Sequence, residues 1–334
     1  AVCTNPIDPS NLNQPNIAIG DLAGSQRVNR TVTKVGPNTE RFRVSVQAPE
    51  GVDVTVRPST FTLGKGGKQD FRVIFEANDD AVFDEYAFGQ LTWTSDSGIT
   101  VNSDIAVRPV ELAFPAEVSG EGTSGSGEFD ITFGYTGPYA AEAHGLNPAT
   151  QQEGNVRDDP DNDINGALGC YFAPGGGPEC GVTEHTVVVP PGTLHTRVSL
   201  FDQYTDGNDD LDLYVFDPAF GFAGGSGSGT SEEQVDIPMP DPGTYTVFVH
   251  GWQTDGPDAN YTLFDWSVPA DPALDDGSLV IDSAPTSATL GQTETIEYSW
   301  SGIAADNKYL GAISHNRGAE LIGATLVSVA TDTG

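Results

Sequence analysis

The sequence is poor in positive charge and has no long apolar run. It carries 14 lysines and arginines against 48 aspartates and glutamates, a formal net charge of -34 over 334 residues. Such a charge repels phosphate backbones and anionic membrane surfaces, so we expect no nucleic-acid partner. No stretch of about 18 apolar residues occurs, and residues 1–10 (AVCTNPIDPS) lack the basic and apolar regions of a signal peptide. We therefore expect no membrane insertion and no signal peptide here.

The acidic charge is unevenly distributed. Residues 1–112 contain 10 basic and 14 acidic side chains, whereas residues 113–334 contain 4 and 34. The acidity thus belongs to the later part of the chain, for which cations are the natural partners.

Side chains that repeat with a helical period are also scarce, and the chain is rich in turn formers, with 40 glycines and 23 prolines. Residues 1–112 instead alternate apolar and polar side chains in short runs such as RFRVSVQAP and QDFRVIFEA. Turn residues separate these runs at the spacing typical of a β-sandwich. We predict an all-β, multidomain protein whose first domain, residues 1–112, is an immunoglobulin-like or fibronectin type-III-like sandwich.

The amino-acid sequence of this first part is similar to that of a known domain family. The stretches NLNQPNIAIGDLAGSQRVNRTVTKVG, VQAPEGVDVTVRPSTFTLG and FGQLTWTSDSGITVNSDIAVRPV resemble the fibronectin type-III-like domain that follows the catalytic domain in large subtilisin-like serine proteases. The resemblance covers about a third of the chain. It implies a link to a secreted protease.

A second resemblance covers residues 154–269. The phrases HTVVVPPGTLHTRVSLFD, NDDLDLYVFDP and PGTYTVFVHGW resemble the pre-peptidase C-terminal domain of secreted bacterial peptidases, a jelly-roll-like sandwich close to collagenase collagen-binding domains. The resemblance implies the C-terminal region of a secreted bacterial subtilisin-like serine protease, with an extracellular location.

Two further segments look alike. In GEFDITFGYTGPYAAEAHGL and TETIEYSWSGIAADNKYLGAISHN, Ile131 aligns with Ile296 and Phe133 with Tyr298, so both keep the two-residue period of one apolar face. Each segment is too short to bury a core alone. We hypothesise that residues 113–153 and 270–334 pair into one split immunoglobulin-like sandwich around residues 154–269. The alternative is a row of separate domains, with the first segment packed on residues 1–112.

Cysteine is scarce, with three residues. Cys170 and Cys180 bracket YFAPGGGPE, a turn sequence that could bring two thiols together, and we predict a disulfide between them in an oxidising compartment. Cys3 is left over, as a free thiol or as a partner for another chain.

Two acidic clusters stand out, DDPDND at 158–163 and DQYTDGNDDLD at 202–212. Dense carboxylates suit Ca²⁺, which takes six to eight oxygen ligands, although neither cluster has the EF-hand spacing. The resemblance to collagen-binding domains implies six calcium ligands: Asp158, Asp159, Asp161, Asp163, Asp209 and Asp210. The alternative is that these acids only hydrate the surface.

Motifs for hydrolysis are missing. A serine protease needs a nucleophile, a base and an orienting acid. None of the histidines stands in a subtilisin-like setting, and SGSGTSEE at 226–233 is better interpreted as a polar loop. No HExxH or Cys/His zinc spacing occurs. We expect that the chain is not an enzyme and that its parent protein supplies a subtilisin-like catalytic domain.

We therefore predict a non-catalytic accessory region of a secreted subtilisin-like protease, which stabilises the enzyme or binds an extracellular protein or polymer substrate. Exposed aromatic rings would make the contact, because they bury large areas at small entropic cost. The candidates are Tyr204, Tyr214, Trp252 and Tyr261. The alternative function is an extracellular structural or adhesive module that self-associates after release from the protease.

Overall fold

The computed structural model describes residues 7–78 and 80–331, and these are almost entirely β-strands and turns. This confirms the predicted all-β sandwich class. Cys3 lies outside the described residues, so its predicted state stays a prediction. Among the described residues, none of the helices reaches the length and hydrophobicity that a bilayer crossing requires.

The first sandwich matches the alternating runs of the early sequence. Its strands are β1 (Ile17–Leu22), β2 (Ser25–Thr33), β3 (Glu40–Gln47), β4 (Val52–Arg57), β5 (Thr60–Leu63), β6 (Lys68–Ala77), β7 (Ala87–Ser95) and β8 (Thr100–Pro109). One sheet has the order β1-β8-β7-β3-β5 and the other β2-β6-β4. Every second side chain points between the sheets, so Val28, Val73 and Phe75 are fully buried there.

The second group of strands comes from two distant parts of the chain. The earlier ones are β9 (Leu112–Ala113), β10 (Glu117–Glu121), β11 (Gly125–Phe133), β12 (Gly137–Pro138) and β13 (Ala140–Pro148). Eight strands and one helix follow before the group resumes: β14 (Thr150–Arg157), α1 (Ile164–Tyr171), β15 (Val182–Val189), β16 (Thr193–Leu200), β17 (Asp210–Phe216), β18 (Phe222–Ser226), β19 (Glu233–Pro238), β20 (Gly243–Gln253) and β21 (Asp258–Pro269). The later members of the second group are β22 (Leu279–Ser283), β23 (Ser287–Ala288), β24 (Thr293–Trp300), β25 (Lys308–Arg317) and β26 (Glu320–Ala330).

Strands from both parts hydrogen-bond within the same sheets of this group. The orders are β10-β26-β25-β13 and β22-β24-β11-β9, with a short β12-β23 pair. β11 and β24 are antiparallel, with Phe129 opposite Ile296. Ile131, Phe133, Ile296 and Tyr298 share one core. The four-part division of the chain into domains stays a prediction.

Strands β14 to β21 form a third sandwich, with sheet orders β14-β21-β16-β19 and β15-β20-β17-β18. Helix α1 lies outside this sandwich. Asp163 caps its first turn by accepting a hydrogen bond from the backbone N–H of Asn165, and Ala167 packs with Val182 and Phe248 of the sheet. Cys170 and Cys180 are joined by a disulfide that holds the segment after α1.

The second and third sandwiches share a packed boundary. Leu194, Phe264, Trp266 and Val268 form one apolar cluster with Leu310, Ala312 and Leu326. Trp266 Nε1 also donates a hydrogen bond to the carbonyl of Lys308 at 3.2 Å. The apolar cluster and this hydrogen bond therefore join the two sandwiches at their boundary.

Candidate functional site

A patch of aromatic rings lies on the outer face of the β15-β20-β17-β18 sheet. Phe216 on β17 is opposite Phe222 on β18, and α1 delivers two further rings at its C-terminal end. We call this surface the aromatic patch, made of Tyr171, Phe172, Phe216, Phe220, Phe222 and Phe248. Phe172, Phe220 and Phe222 are 57%, 51% and 65% exposed. Three large rings thus face solvent side by side.

The exposed rings rest on buried ones. Phe172 packs edge-on against Phe248 at 5.8 Å, and Phe248 is fully buried. Phe220 stacks on Phe216 at 5.0 Å, and Phe222 meets the same ring edge-on at 5.9 Å. Rings held by such contacts have little conformational freedom to lose when a partner binds.

The loop that carries Phe220 is held in an unusual backbone conformation. Phe220 has φ of 65°, in the left-handed region that costs energy for a residue with a bulky side chain. Asp217 Oδ1 accepts hydrogen bonds from the backbone N–H groups of Ala219 at 2.8 Å and Gly221 at 2.7 Å. Asp217 therefore fixes the turn that points Phe220 outward.

The four aromatic residues predicted from the sequence are mostly engaged in packing. Tyr261 is 3% exposed, and its hydroxyl lies 2.8 Å from His185 Nε2, so the predicted contact role is corrected to a core role. Tyr204 packs on Phe264 at 4.7 Å. Tyr214 is half-buried and donates a hydrogen bond to Asp212 Oδ2, and Trp252 packs edge-on against His250.

The aromatic patch was missed by sequence reasoning, although a signal for it exists. Phe220 and Phe222 stand in DPAFGFAGG, a stretch of turn residues. The glycines and the proline around them favour a turn over a long alternating strand, although Phe222 begins the short strand β18. A ring in such a stretch is expected at the surface.

The carboxylates of the 158–163 cluster already have protein partners. Asp159 Oδ2 accepts from His250 Nε2 at 2.9 Å and from the backbone N–H of Asp163 at 3.0 Å. Burial alone would raise the pKa of Asp159, but these hydrogen bonds and one from the Asp161 N–H lower it. Asp158 Oδ1 accepts from the Thr254 N–H, while Asp161 is exposed.

His250 lies beside the acidic residues of this turn and can offset their negative charge. It is fully buried between two carboxylates, Asp159 and Asp212, with Nδ1 3.6 Å from Asp212 Oδ2. Burial lowers the pKa of His250, but these two acids outweigh that effect and raise it. A protonated His250 can therefore neutralise carboxylates for which the sequence analysis predicted a bound cation.

The second cluster has unsatisfied oxygens. Asp209 is 6% exposed, and its Oδ1 accepts from the Asp255 N–H at 3.0 Å. Its Oδ2 is buried without a hydrogen-bond partner, as is Oδ1 of Asp210. Burial, and then the charges of Asp212 and Glu233, raise the pKa of Asp210. Of the two clusters, only this one leaves buried carboxylate oxygens for a cation.

No ready-made metal centre accompanies these oxygens. In residues 7–78 and 80–331, no group of three or more His, Cys, Asp or Glu side chains is arranged to hold an ion. The six predicted ligands are therefore not brought together into one site. Calcium binding stays a prediction, and among the predicted ligands Asp209 and Asp210 are the ones with a buried oxygen that has no hydrogen-bond partner.

One Ser–His contact has the reach of a catalytic pair. His144 Nε2 lies 2.9 Å from Ser314 Oγ, and His144 Nδ1 lies 3.0 Å from the carbonyl oxygen of Pro269. Both side chains are 2% exposed. A substrate cannot reach a hydroxyl buried in this way, so the pair links strands and is no candidate nucleophile.

Comparison with known proteins identifies the first sandwich. Residues 11–107 match the fibronectin type-III domain family. The subtilisin-like protease SBT3.2 of Arabidopsis thaliana is 43% identical over 110 residues, which is 32% of this chain and 15% of that protein. SBT3.16 of the same plant is 33% identical over 108 residues, 32% of this chain and 14% of that protein.

The chain thus spans about a seventh of the length of the curated relatives it matches. Among solved structures, the secreted serine protease VesC from Vibrio cholerae aligns with 77% of this chain and 49% of its own, at 12% identity and a TM-score of 0.24. The Pseudomonas aeruginosa CupB2 chaperone aligns with 39% of this chain and 73% of its own, at 10% identity and a TM-score of 0.24. Likenesses this weak carry no argument about function.

The residues that match the fibronectin type-III family coincide with the first sandwich. Strands β1 to β8 fall within or next to residues 11–107. The chain therefore contains a fibronectin type-III-like domain similar to the C-terminal region of plant subtilisin-like proteases.

Proposed function

We propose that the chain is a non-catalytic accessory region of a secreted subtilisin-like serine protease, which holds the enzyme on an extracellular protein substrate. The fibronectin type-III-like domain supports the link to such proteases. The disulfide between Cys170 and Cys180 supports an oxidising, extracellular location. The aromatic patch carries the binding part of the proposal.

The physical reason is that covering the exposed rings with a partner removes apolar surface from water, which is favourable. Phe172, Phe220 and Phe222 each leave more than half of their surface in water. Removing apolar area from water favours a complex, and pre-ordered aromatic rings lose little entropy on binding. A contiguous patch of this kind on a monomeric surface marks a contact site.

A sedimentation assay tests this function. The purified chain is mixed with insoluble elastin particles, and the bound fraction is measured after centrifugation. The double variant Phe220→Ser/Phe222→Ser is expected to lose most of the bound fraction. Phe88→Ser is the matched control, because Phe88 is 71% exposed but lies in the first sandwich. Equal retention of the two variants would contradict the proposal.

Calcium binding at Asp209 and Asp210 is a further part of the proposal. An ion there would supply charge to offset two carboxylates that each have a buried oxygen without a partner. We expect Ca²⁺ to raise the melting temperature and a chelator to lower it, because an ion that binds only the folded state stabilises it. Asp209→Asn/Asp210→Asn should abolish the response, and Asp161→Asn, at an exposed position, should keep it. A chelator that leaves the melting temperature unchanged would favour the hydration alternative.

A further inference from the structure

The surroundings of the aromatic patch indicate which chemistry its partner carries. Residues 154–269 contain 19 acidic side chains and two arginines. One of these, Arg197, is 5% exposed and is held by Glu117 and Asp236. The sandwich that carries the patch is therefore strongly negative.

Two carboxylates border the patch. Glu184 on β15 is opposite Phe248 on β20, and its Oε2 accepts a hydrogen bond from the Tyr171 hydroxyl at 3.0 Å. Asp217 directly follows Phe216 and holds the Phe220 turn. A carboxylate is thus hydrogen-bonded at Tyr171, and another holds the turn of Phe220.

Exposed ring faces add to the preference for positive charge. A lysine or arginine over a phenylalanine face is attracted to it, because the face of the ring carries partial negative charge. An acidic or phosphorylated partner would instead meet repulsion from Glu184 and Asp217. A partner of the patch therefore needs both apolar side chains and positive charge.

We infer that the aromatic patch binds a basic, apolar segment of an extracellular protein, in which lysine or arginine alternates with large apolar side chains. The segment places its apolar groups against Phe172, Phe220 and Phe222, and its cations beside Glu184 and over the ring faces. This assignment rests on the proposed function and names the class of protein that the accessory region would select.

Fluorescence anisotropy with three labelled peptides tests the inference. The probes are GKFGKFGKFG, its acidic counterpart GEFGEFGEFG, and GKSGKSGKSG, which keeps the charge but lacks the rings. We expect GKFGKFGKFG to bind at least about tenfold more tightly than either of the others. The double variant Phe220→Ser/Phe222→Ser should lose about tenfold in affinity for it, and Phe88→Ser should not.

Two results would overturn the inference: equal binding of the basic and acidic aromatic peptides, or equal affinity of the patch variant and Phe88→Ser for GKFGKFGKFG. The sedimentation assay separates this failure from that of the proposed function. If retention on elastin still depends on Phe220 and Phe222, the patch binds protein but not by the chemistry inferred. If retention does not depend on them, the proposed function fails, and the peptide affinities still decide the inference.

Discussion

At the scale of single residues, His315 shows how burial fixes a protonation state. Its Nδ1 lies 2.7 Å from the Tyr139 hydroxyl and its Nε2 lies 3.0 Å from Thr325 Oγ1. The rings of Phe114 and Phe129 also pack against it. No carboxylate is among these contacts, and burial lowers the pKa of His315 to about 4.

Stability should therefore depend on pH through this residue. The pKa of a histidine in the unfolded chain is about 6.5, so below that pH the unfolded state binds a proton that the folded state refuses. The free energy of unfolding should be fully retained above about pH 6.5 and should fall as the pH drops toward 4. Urea unfolding of the wild type and His315→Gln at several pH values measures this. Parallel pH slopes for the two proteins would contradict it.

At the scale of elements, two glycines decide how the strands pack around Trp300. A Cβ on Gly120 of β10 would lie 2.4 Å from the Trp300 ring, and one on Gly125 of β11 would lie 2.3 Å from it. The indole fits only because both neighbouring strands present bare backbone. Gly169 in α1 is the opposite case, since a Cβ there would meet nothing within 4 Å.

Alanine at these positions should have opposite effects. Gly120→Ala should destabilise the protein by about 1–3 kcal/mol, because the ring must move in a packed core. Gly169→Ala should stabilise it by up to about 1 kcal/mol, because alanine favours the helix. Thermal unfolding of both variants gives the comparison. A destabilised Gly169→Ala would show that α1 does not tolerate a side chain at this position.

At the scale of the whole molecule, Arg197 joins the second and third sandwiches. Its guanidinium donates to Glu117 of β10 at 2.7 Å and to Asp236 of β19 at 2.7 Å. Burial alone would raise the pKa of Asp236, but hydrogen bonds from His195 and Arg197 hold it at about 2. The ion pairs lie beside the apolar boundary cluster that contains Trp266 and Leu310.

Removing Arg197 should weaken this boundary. Arg197→Met leaves Glu117 without its cation and Asp236 with only its hydrogen bond to His195. Removing one partner of a fully buried ion pair costs about 3–5 kcal/mol. Since both carboxylates remain about a third exposed, we expect a smaller loss, of about 2 kcal/mol. Calorimetry should show a lower melting temperature, and the second and third sandwiches should unfold in two separate transitions instead of one. Arg317→Met, at a cation of the second sandwich that is about a third exposed, should leave the transitions coupled.

The strand content followed from local patterns, whereas the candidate site did not. The alternation in residues such as Val28 and Phe75 needs only the two-residue period of a strand to be recognised. Tyr261 alternates with Ala259 and Leu263 in the same period, so its burial also followed from the local pattern, against the contact role predicted for it. The acids near 159 appeared to need a cation because His250, 91 positions away, could not be placed beside them.

The sequence by itself determined the β class, the fibronectin type-III-like character of the first sandwich and the concentration of negative charge in the later part. These features depend on the alternation of side chains, on local sequence similarity and on composition. Only the tertiary structure decided which aromatic rings face solvent, which carboxylates keep unsatisfied oxygens and which histidines balance charge. Exposure and hydrogen bonding are set by neighbours that are distant along the chain, and strand pairing alone brings them together.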